Sequence, residues 1–257
     1  MEIKTILVII VLIVLLYIVI QYITTDTNTL TSSITSGTTM QTISASTLAK
    51  SGTTNASNFT YSIWFYINDW NYRYGEPKVI YGRMGSPNGG DIPGIPGSNP
   101  CPAVVLGTLQ NNVSVALAIY PGEGSEMTSA ENVDPATKEV IHTCNVSNIP
   151  IQKWVNLLIS TYGRTLDIYL DGKLVKTCVL PGIPKINQDA DVYVTPMGGF
   201  AGWVSRFQYF PNSTDPQTAW NIYKAGYGTS FLSNLFGKYQ VKVTLSENGT
   251  EQSSFTI

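Results

Sequence analysis

The sequence predicts an all-β fold, an antiparallel β-sandwich with one short helix, preceded by a single N-terminal transmembrane helix. Three observations carry that expectation. Short segments rich in aromatic and β-branched residues recur between Gly, Pro and Asn breaks. One of them, Thr165–Leu170, passes through Asp171-Gly172 into Lys173–Leu180, which is a two-residue hairpin signal because type I′ turns need positive φ at both central positions. From Thr5 to Thr25 the chain has no charged residue. A chain of 257 residues, 43% of them hydrophobic, can bury one full-sized core. With only 12% charged residues, a net charge of -2 and no basic run, it offers nothing for a nucleic acid to bind.

The first element is the apolar run Ile6–Ile20, continued by Gln21, Tyr22 and Ile23. About 20 helical residues rise about 30 Å, the thickness of a hydrocarbon core, so residues 5–25 are expected to bind a membrane by spanning it. The run has no polar face, as a soluble helix would, and Tyr22-Ile23-Thr24-Thr25 offers no small-x-small cleavage site, so a retained anchor is expected rather than a signal peptide. Lys4 precedes the span and Lys50 is the first cation after it, which places the N-terminus on the cytoplasmic side and the remainder on the opposite side. Thr24 to Asn58 is Thr/Ser-rich with isolated Leu30, Ile34, Met40, Ile43 and Leu48, a spacing that fits neither helix nor strand and reads as an extended stalk.

Phe59–Ile67 is short, aromatic and β-branched enough to be a strand buried on both faces. Val79–Tyr81 follows, and then Gly85–Pro100, whose five Gly and four Pro exclude regular structure. Ala103–Leu106 and Val113–Tyr120 read as strands, the second with Val113, Val115, Leu117 and Ile119 on one face. Trp154–Ser160 leads into the hairpin, where Leu166, Ile168 and Leu170 face one way while Asp167, Tyr169 and Asp171 form a wet side. Phe200–Phe210 is expected to carry Trp203, Phe207 and Tyr209 on one face. Asp215-Pro216 writes a helix start and Gly226 its end. Tyr239–Leu245 and Ser254–Ile257 make a last hairpin about Asn248-Gly249. The expected organisation is therefore 1–25 anchor, 26–58 stalk, 59–228 sandwich and 229–257 C-terminal β-hairpin extension.

The ordered pieces Phe59-Thr-Tyr-Ser-Ile-Trp-Phe, Trp154, Thr165-Leu-Asp-Ile-Tyr-Leu-Asp-Gly-Lys, Gly198-Gly-Phe-Ala-Gly-Trp and Trp220-Asn-Ile-Tyr-Lys-Ala-Gly resemble the laminin G-like/concanavalin A-like jelly-roll superfamily. The tracts Cys144–Trp154, Cys178-Val-Leu-Pro-Gly and Phe207-Gln-Tyr-Phe-Pro-Asn look like a membrane-anchored subgroup encoded by large double-stranded DNA viruses. That resemblance implies a non-enzymatic minor capsid or virion protein whose sandwich docks on other virion proteins. The alternative is a membrane-tethered lectin that presents rim loops to glycans.

A glycoside hydrolase on such a fold needs two carboxyls across the scissile bond. Glu123 with Glu126 and Glu131 with Asp134 read as loop charges, while Asp167 and Asp171 come closer to strand spacing but the turn needs Asp171. His142, the one histidine, stands two residues from Cys144 in a strand and could serve as a base, yet it reads as an ordinary half-buried residue. No enzyme and no cofactor are therefore expected. The resemblance leaves calcium as an option, with Asp91, Asp189 and Asp191 as the oxygen donors. Trp70, Tyr72 and Tyr74, interleaved with Asn and Arg, are the glycan-stacking candidates, whereas Trp64 and Tyr66 read as core. Cys101, Cys144 and Cys178 either supply one disulfide with one thiol left over or stay reduced, according to compartment. Six Asn-x-Ser/Thr sequons stand at Asn55, Asn58, Asn112, Asn145, Asn212 and Asn248.

Overall fold

A computed structural model describes residues 12, 14–17, 27–49, 57–87, 99–121, 140–228, 242–247 and 250–256. The chain divides into two compact units, residues 28–229 on the one hand and residues 1–27 with 230–257 on the other. In the smaller unit, Leu12 and Val14–Tyr17 are helical and exposed, and Lys242–Glu247 pairs antiparallel with Thr250–Thr256 in register Val243↔Phe255. Among the described residues no helix is long and apolar enough to cross a membrane. The expected span lies mostly outside them, as does the turn Asn248-Gly249.

The larger unit runs β1 (Thr29–Thr31), β2 (Thr35–Ser36), β3 (Gln41–Ile43), α1 (Ala45–Ala49), β4 (Thr60–Asp69), β5 (Lys78–Arg83), β6 (Ala103–Leu106), β7 (Asn112–Pro121), β8 (Val140–Ser147), β9 (Trp154–Tyr162), β10 (Thr165–Leu170), β11 (Lys173–Val179), β12 (Gly182–Pro184), β13 (Val192–Val194), β14 (Ala201–Phe210) and α2 (Pro216–Lys224). One antiparallel sheet has the order β1-β14-β4-β9-β10-β11, with β2 also on β14; the other has the order β12-β7-β6-β5-β13-β3, with β8 on the free side of β7. Alternation sends Tyr61, Ile63, Phe65 and Ile67 of β4 into the inter-sheet core, where they meet Val113, Val115, Leu117 and Ile119 of β7 and Leu166 and Ile168 of β10.

The stretch expected as a stalk instead belongs to the sandwich. β1 pairs with β14 at Thr29↔Gln208, β3 pairs with β13 at Val192↔Ile43, and Leu48 of α1 is fully buried. Strands of two or three residues are too short to show an alternation, so polar, β-branched Thr supplies edge pairing without a periodic signal.

Two face assignments also change. Between Ser205 and Gln208 the β14–β4 register shifts, with Arg206 at φ 44, so the bulge reverses which side chains point inward. Val204, Phe207 and Tyr209 enter the core, while Trp203 turns to the outer face. The side of β10 expected to be wet is partly dry: α2 lays Ala219 and Ile222 over Tyr169 and Leu158. The hairpin turn is as expected, with Asp171 at φ 49 and Gly172 at φ 72. Asp215 caps α2 through bonds from the Gln217 and Thr218 amides.

A disulfide joins Cys144 to Cys178, Cα to Cα 6.3 Å, and so fastens edge strand β8 of one sheet to edge strand β11 of the other. Beside it Lys176 Nζ donates to the Asn145 carbonyl at 2.7 Å. Cys101 is the buried free thiol.

Candidate functional site

The outer face of the first sheet carries a row of aromatic rings. Trp203 of β14 lies directly opposite Tyr66 of β4, and Tyr66 directly opposite Trp154 of β9, so three adjacent strands place their rings in one line across the sheet. Ring centroids are 5.4 Å apart between Trp203 and Tyr66 and 5.9 Å between Tyr66 and Trp154, each pair edge to face. Tyr227, just after α2, stacks on Trp154 at 4.6 Å and closes the end of the row.

Local structure holds the row open at one side and supports it at the other. On the supported side, Trp64 stacks on Tyr223 of α2 at 5.5 Å and Tyr223 leans on Trp220 at 5.4 Å, so the helix covers the neighbouring rung. Ser205 Oγ donates to the Tyr227 carbonyl at 2.8 Å, and the Arg206 guanidinium donates to the carbonyls of Ala225 and Gly226, both at 2.9 Å. The bulge that turns Trp203 outward thus also supplies the arginine that fixes the segment bearing Tyr227. On the open side Trp203 is 42% exposed and Tyr227 39%, with Tyr66 and Trp154 half-buried between them. At the Trp203 end β2 aligns Ser36 with Trp203, and the exposed Ser36 and Thr38 hydroxyls bond each other at 2.8 Å. Asp69, Asn71 and Lys153 are exposed at the same end of β4 and β9. The result is an apolar strip of mutually tilted rings with polar groups at its border.

The three aromatic residues expected to form a stacking platform do not come together. Trp70 is half-buried against the core, under Lys78 Nζ at 4.5 Å from its ring, and that ammonium also donates to the Trp70 carbonyl at 2.7 Å. Burial lowers the Lys78 pKa. Tyr72 donates its hydroxyl to the Gly198 carbonyl at 3.1 Å. Arg73, at φ 51, bonds the Met197 carbonyl and pairs with Glu76 at 2.7 Å, which shapes the turn and leaves Tyr74 alone exposed. Of the two rings expected to be core, Trp64 is buried, packed on the outer face beneath α2, whereas Tyr66 is only half-buried and belongs to the row.

Of the three calcium candidates the structure describes two. Asp91 lies outside the described residues. Asp191 accepts from the Ala45 amide at 2.9 Å and so caps α1, while exposed Asp189 borders a surface cavity of about 360 Å³ with Asn99, Lys185, Asn187 and Gln188. Among the described residues no three His, Cys, Asp or Glu side chains converge as a metal site.

The acidic and nucleophilic candidates hold structural places. Asp167 accepts from Thr177 Oγ1 at 2.5 Å, and Asp171 accepts from the Asn156 amide at 3.0 Å and pairs with Lys153 at 3.3 Å. Glu123, Glu126, Glu131 and Asp134 lie outside the described residues. Cys144 is in the disulfide, and burial lowers the pKa of His142. Burial pushes the Cys101 thiol up to about 12, although the Arg83 guanidinium pulls the other way. Arg83 itself is 2% exposed and donates to the carbonyls of Ala190 at 3.2 Å and Gln188 at 3.0 Å. Burial likewise raises the hydroxyls of Tyr61, Tyr81 and Tyr209.

No protein-family model matches the chain, and no curated protein does. Among solved structures, a mutant of HCR/D is 11% identical at a TM-score of 0.50, over 75% of this chain and 41% of that one. The receptor-binding domain of the botulinum neurotoxin C/D mosaic serotype is 12% identical at 0.48, over 72% and 40%. A structure of botulinum neurotoxin type C, whose cell entry depends on two ganglioside molecules, is 15% identical at 0.48, over 72% and 39%. The β-sandwich is the shared feature. The chain spans less than half the length of these proteins, and identities this low speak to fold alone.

Proposed function

We propose that the chain is a non-enzymatic recognition protein that binds glycans on the outer face of its first sheet. The observation that carries the reading is the in-register row Trp203, Tyr66 and Trp154, closed by Tyr227. Aromatic rings present apolar faces that match the C–H faces of pyranose rings, and hydroxyls and amides at the border suit sugar hydroxyls. The exposed charges at its border, Asp69 and Lys153, are of opposite sign, so the ligand class is a saccharide without a large net charge. The anchor at residues 5–25 belongs to the same proposal, as does display of the sandwich beyond the membrane.

A second reading, docking on other protein subunits such as the capsid proteins of a virion, has one observation in its favour: edge strand β11 exposes Leu174, Val175 and Val179. A bulge between Ile168 and Tyr169 of the paired strand and the flanking Lys173 and Lys176 work against open-ended strand addition there, which weighs toward the glycan reading.

The test is a glycan array probed with the full chain, repeated with Trp203→Ala and Trp154→Ala. Binding to a saccharide that both variants weaken supports the reading. An array without signal, together with cross-links from Lys173 or Lys176 to a capsid subunit in intact particles, replaces it with the docking reading.

A further inference from the structure

Six sequons are too many to treat alike, and the structure sorts them. Asn55 and Asn248 lie outside the described residues. Asn58 is half-buried, its side-chain oxygen accepting from the Gly163 amide at 2.8 Å. Asn112 is half-buried with its side-chain oxygen sealed from solvent. Asn145 is exposed, but it sits within the β7–β8 ladder beside the disulfide, and its side-chain oxygen accepts from Ser114 Oγ at 2.5 Å. Asn212 differs from all of these. It is exposed in the Pro211–Thr214 loop that follows β14, in the sequon Asn212-Ser213-Thr214.

The backbone of that loop is firmly held while the Asn212 side chain is presented outward. Thr60 Oγ1 donates to the Asn212 carbonyl at 2.8 Å, the Thr214 amide donates to Ser160 Oγ at 2.8 Å, and Asp215 then caps α2. A second, independent observation concerns compartment. The Cys144–Cys178 bridge forms and persists where the medium is oxidising, which is also where N-linked oligosaccharide is added.

We infer that Asn212 is an N-glycosylation site. In the transfer, Asn212 Nδ2 forms a bond to the anomeric carbon of a lipid-pyrophosphate-linked oligosaccharide. The bond from that carbon to the pyrophosphate oxygen breaks, the lipid pyrophosphate leaves with the electron pair, and the amide proton passes to a base of the transferase. The attachment point is well removed from the aromatic row. Trp203 and Asn212 are nine positions apart along and just beyond one extended strand, roughly 30 Å at about 3.3 Å per residue. A glycan at Asn212 therefore leaves the row uncovered, and the modification stands or falls separately from glycan recognition by the row.

The experiment expresses the full chain in mammalian cells and compares wild type with Asn212→Gln and Thr214→Ala. Peptide mapping after peptide:N-glycosidase treatment in heavy-oxygen water reads occupancy at each sequon, and a non-reducing map reads the Cys144–Cys178 bridge. The expected result is an intact bridge with Asn212 converted to labelled Asp, a gel shift lost in both variants, and array binding unchanged in Asn212→Gln. An intact bridge with unmodified Asn212 overturns the site. Reduced thiols together with no glycan overturn it as well, because the compartment it requires is then not reached.

Discussion

Replacing both bridging cysteines, Cys144→Ala with Cys178→Ala, tests how the two sheets are held in register at their shared side. The bridge closes a loop of sequence separation 34 between two edge strands that belong to different sheets. Chain-entropy arithmetic for a loop of that length gives about 3.8 kcal/mol of stabilisation at 25 °C. For a unit of this size each kcal/mol moves the midpoint by about 2–4 °C, so the double variant should melt roughly 8–15 °C below wild type. Lys176 still reaches the Asn145 carbonyl in the variant, but an exposed contact of that kind restores well under 1 kcal/mol, so it does not mask the loss. The assay is thermal unfolding of the full chain in detergent, followed by near-ultraviolet circular dichroism, with reduced wild type in parallel. Reduction and double substitution should give the same midpoint. A shift corresponding to less than about 1 kcal/mol would show that packing between the sheets, and not the cross-link, fixes this side, and it would refute the reasoning.

Four further outcomes follow from particular contacts. Trp203→Ala removes an exposed ring, so it should cost little stability yet weaken saccharide binding about tenfold, equal to about 1.4 kcal/mol, measurable by titration against the array hit. Gly172→Ala should destabilise by about 1–3 kcal/mol in denaturant titration, because a Cβ there would lie 2.9 Å from Trp220 and Tyr223 at a φ of +72. Cys101, with its thiol raised to about 12 by burial, should resist maleimide at pH 8 in the native protein and react at once in urea. The Asp215 carboxyl is held below its usual 3.8, foremost by the Thr218 hydroxyl, so its stabilisation of α2 is complete above that value and is lost as pH falls through the lower folded value. Asp215→Asn should therefore flatten the acid limb of the melting profile without changing its neutral shape.

The long strands were legible because their physics is local. Thr165–Leu170 and Ala103–Leu106 match the observed bounds, and the Asp171-Gly172 turn and the Asp215-Pro216 helix start have the backbone and capping bonds that their residues require. What was not legible depended on partners far along the chain. β1, β2, β3 and β13 are two or three residues each and acquire their identity only by pairing, β1 and β2 with β14, β13 with β5, and β3 with β13. Trp70, Tyr72 and Tyr74 looked like a surface platform by spacing, but Lys78 and the Gly198 carbonyl occupy the first two.

The aromatic row shows why a site on a sheet face escapes sequence reading even when each of its residues is conspicuous. Its members come from β14, β4 and β9 and from the segment after α2, and period-2 alternation places Tyr66 and Trp154 correctly on the outer face once the core face is known. Trp203 is different, because uninterrupted alternation along β14 would put it on the same side as Phe207 and Tyr209, inside. Only the bulge at Arg206 reverses it, and Arg206 does so while donating to the Ala225 and Gly226 carbonyls that position Tyr227. One irregular residue therefore both turns the first ring outward and fixes the last. Arg206→Ala is consequently a sharper probe of the row than removal of any ring: it keeps all four aromatic side chains, loosens the segment after α2, leaving the Ser205 bond to the Tyr227 carbonyl to tie it to β14, and should weaken saccharide binding while leaving the inter-sheet core intact. Unchanged binding in that variant, with Tyr227 shown by fluorescence quenching to have left Trp154, would mean that three rings on the sheet suffice and that Tyr227 is only a cover.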